Sequence, residues 1–171
     1  MGIEQNYNML KADVKDLPEI MTLVRDAKEF MHSIGNFQWD DEYPLVDTFE
    51  KDINSGSLYK MVIDSQIAGF ICLNLDQPPE YFSPDWKTPP KSLVIHRMVI
   101  NRNFAGSGLG QKMMQYAEEL TSEYGVRSLR SDTNCKNKPM LHIFEKMEYR
   151  YTGNIVLRKK KDLFCCFEKW L

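Results

Sequence analysis

The sequence predicts one α/β domain built on a partly antiparallel sheet. Two observations carry this. Seven segments read as strands and four as helices, and they share a chain of 171 residues, a length that suits a single domain spanning 1–171. The strands and helices alternate too irregularly for an all-parallel sheet, so about seven mostly antiparallel strands flanked by about four helices is the expected architecture.

The elements follow in order. Residues 7–12 alternate as a first strand. Leu17, Ile20, Val24, Ala27, Met31 and Ile34 recur at helical spacing, with Asp16 placed to cap the helix and Gly35 to end it. A short helix is expected over 46–53. Residues 57–64 and 67–76 read as a hairpin turning at Ser65-Gln66. Residues 78–90 hold five of the chain's eight prolines, with Tyr81, Phe82 and Trp86, and read as a long loop. Residues 92–100 read as a buried strand, 109–124 as a helix closed by Gly125, 127–132 as a strand and 139–147 as a short helix. Residues 149–157 and 163–170 form a closing strand pair.

Composition narrows the function classes. The chain is 43% apolar and 27% charged with net charge −2, which fits a folded domain and gives no basic excess for nucleic acid. The basic run Arg158–Lys161 reads as a solvated hairpin tip. The longest apolar stretch, Ile67–Leu73, is far short of the roughly 20 residues that span a membrane. The first ten residues lack an export signal, and Asn6 stands where a myristoylation signal at Gly2 needs Ser or Thr. Cys72, Cys135, Cys165 and Cys166 have no metal-site spacing and read as buried free thiols in a reducing cytoplasm.

The chemistry concentrates in VIHRMVINRNFAGSGLG, residues 94–110. A buried strand runs through a polar loop into Gly106, Gly108 and Gly110, and then directly into a helix. Such a junction aims backbone N–H groups at an anion, and glycine lets a diphosphate approach the backbone. No Gly-Lys-Ser/Thr is present, and the glycine spacing is one residue short of the dinucleotide pattern. Asp132, 22 residues after Gly110, leaves a nucleotide binder as an alternative reading.

From Leu93 to about Gly153 the sequence resembles the GNAT superfamily of acetyl-CoA-dependent N-acetyltransferases. The family's Arg/Gln-x-x-Gly-x-Gly/Ala pattern maps onto Ala105, Gly106, Ser107, Gly108, Leu109 and Gly110. Its later Asn and Tyr-Glu-Lys map onto Asn137 and onto Phe144-Glu145-Lys146. The resemblance implies a GNAT-like fold, acetyl-CoA as cofactor with CoA as product, and a small-molecule or peptide amine as acceptor. It implies that the backbone of Met98, Val99 and Ile100 pairs with the pantetheine arm, that the glycine loop holds the diphosphate, and that Asn137, Met140 and Phe144 line the cofactor channel. Two departures stand out: Ala105 replaces Arg or Gln, and Phe144 replaces the Tyr that protonates the departing sulfur. Water, or another hydroxyl such as that of Tyr116 or Tyr149, is then the substitute donor.

His96 lies mid-strand at the expected site wall. With an ordinary pKa near 6.5, roughly, it can take the amine's proton, which makes it the candidate catalytic residue. His32 and His142 read as helix-surface residues. Residues 36–43, NFQWDDEY, are expected to border the acceptor: Trp39 and Tyr43 as aromatic walls, and Asp40, Asp41 and Glu42 as attraction for a cation. Tyr81, Phe82 and Trp86 are placed to close over it. A catalytically impaired acyl-CoA-binding module is the competing reading, motivated by Phe144. The apolar last strand also admits a homodimer.

Overall fold

Alternating hydrophobicity and helical period sort the chain into elements close to those expected. The computed structural model describes residues 6–171, so the reading of Gly2 lies outside the described residues. In chain order come β1 (Asn8–Lys11), α1 (Leu17–Ser33), α2 (Val46–Asn54), β2 (Leu58–Ile63), β3 (Gln66–Asn74) and β4 (Leu93–Ile100). They are followed by α3 (Leu109–Leu120), β5 (Ser128–Asn134), α4 (Lys138–Lys146), β6 (Arg150–Ile155) and β7 (Phe164–Trp170). One sheet orders the strands β1-β2-β3-β4-β5-β7-β6. Every pairing is antiparallel except β4 with β5.

The sheet is covered on both faces. On one, Leu109, Met113, Met114 and Ala117 of α3 and Phe144 of α4 pack on Met61, Ile71, Leu93 and Ile95. On the other, Ile20, Leu23 and Val24 of α1 and Phe49 of α2 pack on Leu58, Phe70, Cys72 and Val99. No helix among the described residues is long and apolar enough to cross a membrane.

Several local readings are corrected. Asp16 makes no side-chain cap on α1. Its carboxylate accepts instead from the Asp13 N–H and from Lys60 Nζ at 2.7 Å, closing a reciprocal capping box one turn earlier. The hairpin turns at Asp64-Ser65, both at positive φ (46° and 65°), one residue before the expected pair. Helix α3 stops at Leu120, and the chain reaches Gly125 (φ +64°) through a further turn.

Cys135 and Cys165 form a disulfide, contrary to the reading of four free thiols; Cys72 and Cys166 are free and buried. The antiparallel β5–β7 register sets Thr133 beside Cys165 and carries Cys135 across to a Cα separation of 5.3 Å. Adjacent cysteines on β7 face opposite ways, so only Cys165 reaches it.

The proline-rich segment is a pinned strap. Arg130 donates to Thr88 and Pro89 carbonyls and to Gln77 Oε1, and it lies 4.5 Å over the Trp86 ring. Glu168 accepts from Lys87 N–H, Thr88 N–H and Thr88 Oγ1. The buried Glu168 carboxylate is held below its ordinary pKa by these donors, against the desolvation that alone would raise it.

Candidate active site

Strands β4 and β5 run parallel and then part. They pair at Leu93–Leu129, Val94–Arg130 and Ile95–Ser131, and nowhere further among the described residues. Ser131 Oγ donates to the Ile95 carbonyl at 2.9 Å, which closes the apex of the fork. Beyond it, the edge of β4 turned toward β5 is open from His96 to Ile100, while the opposite edge stays bonded to β3. Backbone amides and carbonyls along such an edge accept an extended partner as an added strand.

A bulge shapes this edge. Ile71 faces Met98 and Leu73 faces Ile95, so His96 and Arg97 together oppose the single residue Cys72. Arg97 turns toward α2, where Nε and Nη2 grip the Asp52 carboxylate at 2.7 and 2.8 Å and Nη1 donates to Tyr43 Oη at 2.7 Å. His96 Nε2 lies 2.7 Å from Asn74 Oδ1. An amide oxygen only accepts, so Nε2 carries the proton. Burial pushes the His96 pKa down to about 4, helped by the Arg97 charge and partly opposed by the Asp76 backbone. The imidazole is therefore neutral near pH 7, but a weaker base than the expected ordinary histidine.

The glycine loop follows β4. Gly106 and Gly108 have φ of +76° and +80°, and no atom of the described residues lies within 4 Å of where a Cβ would stand on either. Gly108 is the N-cap of α3. The N–H groups of Gly106, Gly108, Leu109 and Gly110 have no acceptor among the described residues. Ala105 and Ser107 are exposed beside them, with the Ser107 hydroxyl donating to the Phe104 carbonyl. Gly110 serves another purpose as well. A Cβ there would stand 2.7 Å from Ile143 Cδ1, so its absence lets α4 close on α3.

The fork opens into a cleft of about 340 Å³. Of the expected site residues, Trp39, Tyr43, His96, Met98, Asn137 and Met140 line it. Asn137 caps α4, its Oδ1 accepting from Met140 N–H while Nδ2 donates to Thr133 Oγ1 at 2.9 Å. Phe144 does not reach the cleft: it is fully buried and stacks on Phe167 at 4.5 Å, held by the apolar core. Neither substitute hydroxyl reaches it either. Tyr116 packs on Tyr59 at 5.6 Å, and Tyr149 is sealed in the core with no hydrogen-bond partner for its Oη among the described residues.

The acceptor side also differs from expectation. Asp40 pairs with Lys160 and Asp41 with Lys28, so both carboxylates are held below their ordinary pKa and turned from the cleft. The basic run is correspondingly not just a solvated tip: Arg158 lies 4.1 Å over the Tyr43 ring and lines the cleft. His32 is not merely a surface residue, since its Nε2 bonds the Trp39 carbonyl at 2.8 Å. Phe82 and Trp86 stay off the cleft, Phe82 almost fully exposed and Trp86 donating to the Tyr81 carbonyl. The sequence reading missed Arg97, whose partner Asp52 is 45 residues away, as an organiser of the site. The open signal was a charge inside an apolar strand.

Comparison with known proteins agrees with this geometry. The acetyltransferase (GNAT) family matches residues 17–149. An N-acetyltransferase of Bacillus subtilis (strain 168), YesJ, is 24% identical over 159 residues, covering 88% of this chain and 86% of that protein. The crystal structure of a GNAT-family acetyltransferase from Streptococcus agalactiae superposes with a TM-score of 0.84 at 24% identity, covering 98% and 96% of the two chains. The structure of yncA from Salmonella typhimurium, described with its cofactor acetyl-CoA, has a TM-score of 0.69 at 11% identity, covering 96% and 94%. The parallel fork, the glycine loop and the family match converge: this chain belongs to the acetyltransferase (GNAT) family and is an N-acetyltransferase.

Proposed function

We propose that the protein transfers the acetyl group of acetyl-CoA to a primary amine of a small molecule or peptide by direct attack. The observation that carries this is the open β4 edge, His96 to Ile100, running straight into the glycine loop and α3. These residues fit the cofactor. Met98, Val99 and Ile100 would offer backbone groups to the pantetheine arm, and the N–H groups of Gly106, Gly108, Leu109 and Gly110 would hold the diphosphate, with Ala105 and Ser107 beside it. Asn137 and Met140 form the adjoining wall. When bound, acetyl-CoA supplies an activated thioester, so no covalent enzyme intermediate is needed.

The chain's own groups supply the rest. A backbone N–H of Met98, Val99 or Ile100, beyond the bulge, would serve the acetyl oxygen as a donor and stabilise charge developing there. Neutral His96, fixed by Asn74, is a hydrogen-bonding wall of the reacting centre. Trp39 and Tyr43 border the acceptor. Phe144 leaves the sulfur without a protein phenol, and a thiol with a pKa of about 8.5 departs without a strong acid.

Thermal unfolding with CoA, acetyl-CoA and a nicotinamide nucleotide tests the cofactor. At 100 times the dissociation constant a ligand adds about 2.7 kcal/mol, a rise of roughly 5–10 °C for a chain this size. CoA species alone are expected to produce it. A rise with the nicotinamide nucleotide and none with CoA would overturn the reading.

A further inference from the structure

Asp132 is a carboxylate inside the fork that the roles above leave unused. It stands one residue past Ser131, the last β5 residue paired with β4, as His96 stands one residue past Ile95. The two side chains thus flank the point where the strands part, and both line the cleft. Asp132 Oδ1 accepts from Tyr81 Oη at 2.7 Å. Tyr81 is itself buried and held by the pinned strap, its ring 5.0 Å from Trp86. Oδ2 has no protein donor among the described residues, yet it is not among the sealed polar atoms, so it faces the cleft.

The surrounding charges define what that oxygen can take. Arg97, beside His96, is already bonded to Asp52, Tyr43 and Cys72, and Arg158, which also lines the cleft, lies over the Tyr43 ring with no hydrogen bond to Asp132 among the described residues. Asp76 also lines the cleft but is exposed at its mouth. Asp132 is the half-buried carboxylate of the two, set deeper in the fork. A half-buried anion with one free oxygen calls for a cationic donor, and the protonated primary amine is the acceptor's form near neutral pH.

We propose that Asp132, positioned by Tyr81, binds the ammonium of the acceptor and accepts its proton. This rests on the acetyl-transfer reading. The ammonium gives one proton to Asp132 Oδ2. The freed nitrogen lone pair bonds the acetyl carbonyl carbon, and the C–S bond breaks. The nitrogen's second proton goes to the departing sulfur, giving the amide and CoA thiol. Asp132 then returns its proton to water. Burial raises the Asp132 pKa toward the working range of a base, while the Tyr81 hydroxyl and the Arg158 charge hold it back and Glu80 adds to the rise. His96 is too depressed for this role, and Cys166, which faces Asp132 from β7, is itself pushed up to about 12 by burial.

The test uses the full chain, n-propylamine as acceptor probe, and Asp132→Asn, which keeps the side-chain shape and can still accept from Tyr81. Acetyl-CoA affinity, by calorimetry, is expected to change less than twofold. The acetylation rate is expected to fall at least 100-fold, and its residual pH profile to follow only the amine's own deprotonation. Tyr81→Phe removes a donor to the ionised form, so it is expected to move the acid limb of the profile to higher pH. The second readout needs no turnover: with ¹³C-labelled aspartate, the Asp132 carboxyl resonance is expected to titrate above the ordinary carboxylate range and to shift on adding n-propylamine. An Asp132→Asn rate within threefold of wild type, or a carboxyl that titrates normally and ignores the amine, would overturn the assignment. Loss of acetyl-CoA binding in the wild-type protein would instead overturn the reading beneath it.

Discussion

A missing Cβ does two different jobs in this site. At Gly69 it makes room: an added Cβ would stand 2.6 Å from the Val99 carbonyl oxygen and 2.9 Å from Met113 Cε. The carbonyl belongs to β4 and cannot swing aside, so Gly69→Ala must push the strand whose far edge is proposed to take the cofactor. Overpacking of this kind costs about 1–3 kcal/mol. At Gly106 the space is empty, but the backbone stands at φ +76°. There alanine brings only the left-handed penalty of about 1–2 kcal/mol and leaves β4 in place. Urea unfolding and CoA calorimetry on both variants separate the two causes. Gly69→Ala is expected to lose stability and CoA affinity together. Gly106→Ala is expected to weaken CoA chiefly by disturbing the loop, with the sheet intact. Equal effects of the two on stability and affinity would contradict the distinction.

At the scale of elements, strand and helix positions were legible because one period dominates each. Leu109, Met113, Ala117 and Leu120 mark α3, and LVIHRMVI marks β4. What periodicity cannot show is where a strand breaks its own alternation. The bulge at His96–Arg97 swings both side chains to one face, and only the β3 register reveals it. Contacts between distant residues were equally hidden: Tyr81 with Asp132 across 51 positions, and Cys135 with Cys165 across 30. The Arg97–Asp52 pair ties the bulge to α2, with only 12% and 10% of the two side chains exposed. Removing one partner of a buried pair strands the other charge, so Asp52→Asn is expected to cost about 3 kcal/mol in urea unfolding. Replacing both, as Asp52→Leu with Arg97→Met, removes the stranded charge and is expected to lie closer to wild type. A double variant less stable than the single one would show that the pair contributes more than the avoidance of an unpaired charge.

For the whole molecule, the cleft's buried groups couple folding to pH. His96 in an unfolded chain titrates near 6.5, roughly, whereas burial holds it at about 4 in the folded protein. Between those values the unfolded state binds a proton that the folded state refuses. Stability is therefore full above the unfolded value and falls as pH drops toward the folded one. The shift is worth about 3 kcal/mol once pH reaches the folded value. Asp132 acts in the opposite sense, because its raised folded pKa means that protonation on acidification favours the folded state. Asp40, Asp41 and Glu168, held below their ordinary pKa, lose stability of their own on acidification, so wild type alone shows only the balance of all these groups. Comparing it with His96→Asn isolates the imidazole, since the other groups are shared. Measured by urea unfolding from pH 7 to pH 4, the variant is expected to lose less stability than wild type, by up to that same amount. Parallel curves would mean that the imidazole is not withheld from protons in the folded protein. Its ordinary basicity would then be restored, and with it the case for His96 rather than Asp132 as the base.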